Sequence, residues 1–325
     1  MTDARRSLLA SAPTRLDFGG GWTDVPPFSE ERGGRVCNIA ISRRATVRLT
    51  AVSASDAPKS SAPHATDRLI RAALERAQTH DVRVSIESDF PVGAGLGGSS
   101  AAGVALAAAL HVFHDWSYTP ASLAEWSRAV EVDGMHIAGG RQDHYAAAFG
   151  GALDLTFASD TQAVPISISP AARSALESRV LLAYTGESRM SATTITSVLE
   201  AYRERVPRVV DALDTIARLA HDMCGALREG DIDALAHLVD EQWHAQRLLH
   251  PAITTARIEA IEHAARGAGA HSLKALGASG GGCVMVFAPF DAVDTVTAAI
   301  APLSTLLPWR IDDIGVVVRA VDDVA

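Results

Sequence analysis

The stretch "PVGAGLGGSSAAGVALAAAL", residues 91–110, sets four glycines and two serines in its first ten positions and then runs on as small and apolar residues. Glycine gives up more backbone freedom on folding than any other residue, so such a cluster needs a purpose. Before it, "VRVSIESDFP" (82–91) reads as a strand; after it, 99–113 reads as a buried helix. That run is shorter than the ~20 apolar residues a bilayer crossing requires. The first turn of a helix leaves backbone N–H groups unpaired, and the helix dipole makes that end positive. Glycines let the preceding loop curl until its amides converge on one point, with no side chain in the way. Gly93, Gly95, Leu96, Gly97 and Gly98 therefore read as a cradle for an anion, most simply the phosphates of a nucleotide. Ser99 and Ser100 add hydroxyls able to reach a phosphate oxygen or a magnesium ion. The loop lacks the GK[ST] ending of a Walker A sequence. A tight strand-to-helix turn, packed close by small residues, is the other reading of the same positions.

Two further stretches weigh on that choice. "APTRLDFGGGWTDVPPF" (12–28) brings Arg15, Asp17, Asp24 and glycines 19–21 within ten positions, and alone it would pass for a glycine-rich hairpin. "LKALGASGGG" (273–282) is another flexible loop in the other half of the chain, and alone it would pass for a bulge or turn. Three glycine loops, each joined to a periodic element and spread over both halves, exceed what close packing asks for.

The remaining composition narrows the classes. A length of 325 residues suits two domains of ordinary size, and 48% apolar with 21% charged residues is usual for a globular protein. The net charge of −9 disfavours nucleic acid and anionic membrane as principal partners. The opening "MTDARRSLLASAPTR" has no apolar core of signal-peptide length, so a cytoplasmic location is expected. Cys37, Cys224 and Cys283 lie far apart with no metal spacing, and the odd count argues for buried free thiols. The twelve histidines include no HExxH, and they read as scattered surface residues.

Along the chain, residues 12–52 alternate, with a strand, the first glycine loop, and then a hairpin expected through "RVCNIAISRRATVRLTAV". The polar stretch 53–65 reads as a loop, "TDRLIRAALERAQTH" as a capped helix, 120–133 as a second helix and "HYAAAFGG" as a short third. "ALDLTF", "AVPISIS" and "RVLLAYTG" read as strands. Residues 190–265 are helical in pattern with a break near "REGDIDAL"; a helix at about 291–301 and a closing strand in "WRIDDIGVVVRAV" finish the chain. The change of character near 170 suggests domains at 1–170 and 171–325.

The first motif from Arg15 to Asp24, "PVGAGLGGSSA" and "LGASGGG", in that order and spacing, resemble the galactokinase–homoserine kinase–mevalonate kinase–phosphomevalonate kinase (GHMP) superfamily over nearly the whole chain. "GGGWTDVPPFSEERGGRVCNIAI", "AGGRQDHYAAAFGG" and "YTGESRMSATTI" are similar to its sugar 1-kinase branch, which holds the D-glycero-D-manno-heptose 7-phosphate kinases and the L-fucokinases. The resemblance implies an α+β fold, with a ribosomal-protein-like N-terminal domain and a ferredoxin-like C-terminal domain. It implies ATP and magnesium, a sugar phosphate substrate, and a monomer or homodimer. The implied reaction is phosphorylation of the heptose 7-phosphate at C1; a fucokinase-like or other sugar or cyclitol 1-kinase stands second, and a non-catalytic sugar and ATP sensor third.

By the same resemblance Asp143 matches the catalytic aspartate, accepting or orienting the anomeric hydroxyl proton. Arg15 matches the basic residue near it and the γ-phosphate. The loop residues 93 and 95–100, with Gly280 and Gly281, would hold the nucleotide. Asp24, Thr23, Gly20, Gly21, Arg141 and Arg189 fall to the sugar. Ser100 and Glu131 match the magnesium pair, with Ser99 the alternative serine and Glu125 a competitor for Glu131. The sequence departs from the heptose pattern in "GLGGSS", in "GASGGG" and at Trp22, which leans to the fucokinases. Arg141 and the compact length lean to the heptose side.

Overall fold

The computed structural model describes residues 7–52, 65–136, 139–187 and 192–321. Two long strands carry the first sheet: β1 (Ser7–Gly19) and β2 (Gly34–Ala51) run antiparallel, and the first glycine motif with helix α1 (Phe28–Arg32) connects them. A hairpin is expected within 35–52, but the chain forms one 18-residue strand there. It does not turn at Arg43–Arg44 because the Arg44 side chain is held across the sheet. Its Nε donates to Ser11 Oγ at 2.8 Å and its Nη2 to the Ser11 and Gly315 carbonyls at 2.9 and 2.6 Å. The irregularities are register slips at Pro13/Thr14 and at Asp17/Gly19 instead.

After α2 (Ala65–Arg76), β3 (Val82–Ser88) pairs with the second half of β2 and delivers the chain to the glycine loop of 91–98. Helix α3 (Gly98–Phe113) follows, with every residue from Ser100 to His111 buried, as an all-round apolar sequence requires. Helix α4 (Pro120–Ala129) is capped by Thr119 and passes into one π turn, Val130–Gly134. Helix α5 (Gln142–Phe149) and strands β4 (Ala152–Phe157) and β5 (Thr161–Ile166) complete the run, β4 pairing with β2.

Helix α6 (Pro170–Arg179) leads to β6 (Val180–Tyr184) and the helices α7 (Ala192–Arg203), α8 (Pro207–Glu229), α9 (Ile232–Leu249) and α10 (Ala256–Gly267). Gly230, left-handed at φ 75°, closes α8, and the Asp231 side chain caps α9. That is the break read at "REGDIDAL". Strands β7 (Ser272–Ala275) and β8 (Cys283–Phe287), helix α11 (Val293–Ile300) and the short β9 (Thr305–Leu306) follow. The second sheet has the order β7-β8-β6-β9, with the third glycine loop between β7 and β8. The last strand, β10 (Val317–Val321), returns to the first sheet and pairs with the start of β1.

This is an α+β fold of two domains. The closing strand covers only the end of the 309–321 segment read as one, because the earlier part is tied between the sheets. Trp309 Nε1 donates to the Val180 carbonyl at 3.0 Å, and the Ile311 N–H to Glu177 at 2.9 Å. Where 171–325 is expected to form the second unit, β10 lies in the first sheet. Cys37, Cys224 and Cys283 are buried free thiols. The expected loop of 53–65 falls, save for Ala65 at the start of α2, outside the described residues.

Candidate active site

Backbone hydrogen bonds stitch the three glycine motifs together. The Arg15 N–H on β1 donates to the Leu96 carbonyl at 3.1 Å, and the Cys283 N–H on β8 donates to the Ala94 carbonyl at 2.7 Å. Gly95 sits at φ 73°, where a Cβ would stand 2.6 Å from the Leu276 carbonyl oxygen, so only glycine lets the second and third loops meet. Gly97, at φ 76° before α3, lies directly under Asp143; a Cβ there would be 2.9 Å from the Asp143 Cγ.

Asp143 stands in the first turn of α5 and Arg15 is almost wholly buried beside it. Arg15 Nε and Nη2 both reach Asp143 Oδ1 at 2.8 Å, and Nη1 donates to the Gly95 carbonyl at 2.7 Å. One guanidinium thus fixes the carboxylate and the second glycine loop in a single geometry through Oδ1 and donates no hydrogen bond to Oδ2. Both residues line a cavity with Asp17, Trp22, Asp24 and Gln142.

Asp24 reaches this cavity because the first motif folds back over the start of α5. Its Oδ2 accepts the backbone N–H groups of Arg141 and Gln142 at 2.8 and 3.0 Å. Its Oδ1 is buried with no hydrogen-bond partner among the described residues, as are Asp17 Oδ1 and Trp22 Nε1. Burial pushes the Asp24 carboxyl up to about 6, against the Gln142 N–H that lowers it, and the nearby charges of Asp143 and Asp17 add to the rise. The Arg141 guanidinium lies 3.7 Å from Glu125, with Nε and Nη1 making no hydrogen bond among the described residues.

At the start of α3, Ser99 Oγ donates to Glu131 Oε1 at 2.6 Å, and His144 Nε2 lies 3.3 Å from Oε2. Burial pulls the Glu131 carboxyl up, but the His144 charge and the hydroxyls of Ser99 and Ser100 outweigh it and hold the acid below its usual range. Glu131 and Ser100 line the cavity. Glu125 instead accepts from the Tyr145 hydroxyl at 2.8 Å. Among the described residues no group of three or more His, Cys, Asp or Glu side chains forms a metal cluster.

Other expected site residues serve the loops. Thr23 Oγ1 donates to the carbonyls of Gly20 and Arg35 and accepts the Arg35 N–H, and it is fully buried away from the cavity. Gly20 packs against the Arg35 backbone, while Gly21 does line the cavity. In the third loop it is Gly277 and Ala278 that line it; the Gly280 N–H pairs with the Ile253 carbonyl, and Gly281 lies against Glu187. Gly93 is exposed at the rim of the second loop. Arg189 falls outside the described residues. Sequence reading missed Gln142 and the fully buried Lys274, whose Nζ bonds Asp17. The available signal for Lys274 was a lone charge in the otherwise uncharged "SLKA".

A phosphate loop at a helix N-terminus, facing a carboxylate clamped by arginine, defines a phosphoryl-transfer site. The GHMP kinases N-terminal domain model matches residues 65–151 and the GHMP kinases C-terminal model residues 223–302, and the chain belongs to this kinase family. It is 25% identical over 312 residues to a D-glycero-alpha-D-manno-heptose 7-phosphate kinase of Campylobacter jejuni, covering 87% of this chain and 89% of that protein. It is also 25% identical over 321 residues to a bifunctional fucokinase/GDP-fucose pyrophosphorylase of Arabidopsis thaliana; 87% of this chain takes part, against 30% of that longer protein's length. Among solved structures, a D-glycero-D-manno-heptose 1-phosphate kinase from B. thetaiotaomicron shares the fold, with a TM-score of 0.76 at 22% identity over 97% of this chain and 99% of that one.

Proposed function

We propose that this kinase phosphorylates the anomeric hydroxyl of a sugar, with ATP as donor and D-glycero-D-manno-heptose 7-phosphate as acceptor, giving the 1,7-bisphosphate. The observation that carries the reading is the Arg15–Asp143 pair seated on the phosphate loop. Asp143 Oδ2 takes, or at least orients, the proton of the attacking hydroxyl, while Arg15 faces the charge of the transferring phosphoryl group. Phosphoryl transfer is mostly positioning and charge stabilisation, so one aimed carboxylate and one cation suffice. Asp24 binds a sugar hydroxyl through Oδ1, and Arg141 beside it, whose Nη1 makes no hydrogen bond among the described residues, suits a substrate that already carries a phosphate.

The donor set at the start of α3 fits magnesium. An ionised carboxylate and serine hydroxyls are hard oxygen ligands, and phosphates and water complete the shell of this cation. Glu131 with Ser99 or Ser100 would hold it, and there it would neutralise charge on the transferred phosphate's oxygens.

A second reading, a fucokinase-like 1-kinase acting on a neutral sugar, draws support from Trp22, which lines the cavity at φ 82° with its indole N–H unpaired. An ADP-release assay over heptose 7-phosphate, L-fucose, D-mannose and D-galactose separates the two. We expect the highest kcat/KM with heptose 7-phosphate. Preferred turnover of L-fucose moves the assignment to the second reading, and no ADP release with any of the four removes both.

A further inference from the structure

The proposed phosphoryl-transfer chemistry makes no use of a buried charge pair beside the cavity. Lys274, the sole charged residue of β7, is fully buried, and its Nζ donates to Asp17 Oδ2 at 2.9 Å and to the Asp17 carbonyl at 2.8 Å. The pair joins the first glycine motif to the third, across the two sheets. Burial lowers the lysine's proton affinity, Asp17 restores part of it, and Arg15 works against it. Replacing such a buried pair by apolar residues is often neutral or stabilising, so stability alone is a weak account of it.

The free oxygen of Asp17 supplies a better account. Asp17 lines the cavity beside Asp24, and its Oδ1 is buried with no hydrogen-bond partner among the described residues. Buried polar atoms are almost always paired, and an exception in a ligand cavity marks a place where the ligand brings the partner. An ionised carboxylate oxygen only accepts, so the partner must donate. Asp24 Oδ1 has the same character, and the Trp22 indole N–H between these residues in sequence only donates.

From this geometry we infer that Asp17 is a second acceptor for substrate hydroxyls, and that Lys274 is the positioning residue that keeps its Oδ1 turned to the cavity. The inference rests on reading the cavity as a sugar site. It adds that the acceptor must offer two separate hydroxyl donors, one to Asp17 and one to Asp24, and an oxygen acceptor to Trp22.

The test is calorimetric binding of heptose 7-phosphate, L-fucose, D-mannose and D-galactose to the full chain, with ADP binding and melting temperature read on the same samples. Removing one member of a buried pair strands the other, and an Asn carbonyl could still accept from the sugar, so Asp17→Leu is compared with the neutral pair Asp17→Leu/Lys274→Met. Both should weaken the best-bound sugar at least tenfold while ADP affinity stays within about threefold. A merely structural pair would change melting and leave sugar affinity alone. The inference is overturned by a neutral-pair variant that binds the sugar within threefold of wild type.

Should these variants not fold, fluorine-for-hydroxyl analogues of the best-bound sugar are titrated into the wild-type protein, because fluorine cannot donate. Apart from the anomeric position, which falls to Asp143, two ring positions should each lose at least tenfold, and a loss at fewer than two overturns the inference. Sugar binding without phosphoryl transfer would sink the proposed reaction and leave Asp17 in place; no binding by any of the four sugars would sink both.

Discussion

Arg15 directs Nε and Nη2 at one oxygen of Asp143, and on the proposed reading the other is left to the reaction. Asp143→Asn keeps the shape and removes the proton acceptor and the charge. Turnover should fall at least ~100-fold, the lower range for a general base, with ADP affinity retained. A variant within about tenfold of wild-type kcat would show that Asp143 does no proton work. On the proposed reading Arg141 is the residue that should separate phosphorylated from neutral sugars. A charge-assisted contact of on the order of 1.5–3 kcal/mol implies that Arg141→Ala weakens a sugar phosphate roughly ten- to a hundredfold and leaves a neutral sugar nearly untouched. Equal losses for both would remove that role. Asp24 makes the free protein's stability depend on pH. Its folded value, about 6, lies above the usual 3.8, so the native state binds the proton more tightly. This stabilisation is full below about pH 4 and disappears as pH rises through about 6, a change of about 3 kcal/mol. Denaturant titrations of wild type and Asp24→Asn at several pH values should diverge across that window; parallel curves would contradict the shift.

The loop of 91–97 and helix α3 work as one element. The loop closes only because Gly95 can touch the third glycine stretch and Gly97 can turn left-handed beneath Asp143. Gly97→Ala adds a strained φ and crowds the Asp143 carboxylate, the proposed proton acceptor, at once. Activity should therefore drop at least tenfold, beyond what a stability loss of about 1–3 kcal/mol explains in a protein still folded at the assay temperature. Normal kcat in a folded Gly97→Ala protein would show that the loop tolerates a side chain there. This element is legible in the sequence because its signals are local: clustered glycines, two serines and an apolar run that only a buried helix accommodates. The same holds for the break at Gly230, where a helical pattern meets a residue suited to φ 75°. Thr23 and Gly280 show the limit. A motif places them in the right loop, but the Arg35 carbonyl and the Ile253 carbonyl, distant in sequence, decide which way they face. Lys274 and the uninterrupted β2 are hidden for the same reason, since their partners Asp17, Ser11 and Gly315 lie far along the chain.

At the scale of the molecule, the expected boundary near residue 170 divides neither the first sheet, which takes β10 from the far end of the chain, nor the core. Leu16, Phe18, Ile39 and Ile41 of the first sheet are fully buried in one cluster with Leu176, Leu182, Met223 and Phe287 from beyond the boundary. Phe18 and Phe287 stand with ring centroids 6.2 Å apart. Strand β10 supplies the outer partner of β1 from the far end of the chain. A fragment of residues 1–170 would therefore expose those four side chains and leave the first half of β1 as an open edge. At about 1.5–3 kcal/mol for each side chain, the loss is about 6–12 kcal/mol, comparable with the entire stability of an ordinary domain at about 5–15 kcal/mol. The fragment should show no cooperative thermal transition and should bind a hydrophobic dye. The full chain, by contrast, should unfold in a single calorimetric step, since neither half keeps its core without the other. Two resolved transitions in the full chain, or a sharp one in the fragment, would mean that the first sheet is stable without Leu182, Phe287 and β10. The shared core would then be a docking surface between independent domains. A single transition instead means that the cleft between the sheets, where Arg15, Asp143 and Lys274 meet the glycine loops, is lost only when the core beneath it unfolds, which suits a reaction that depends on positioning.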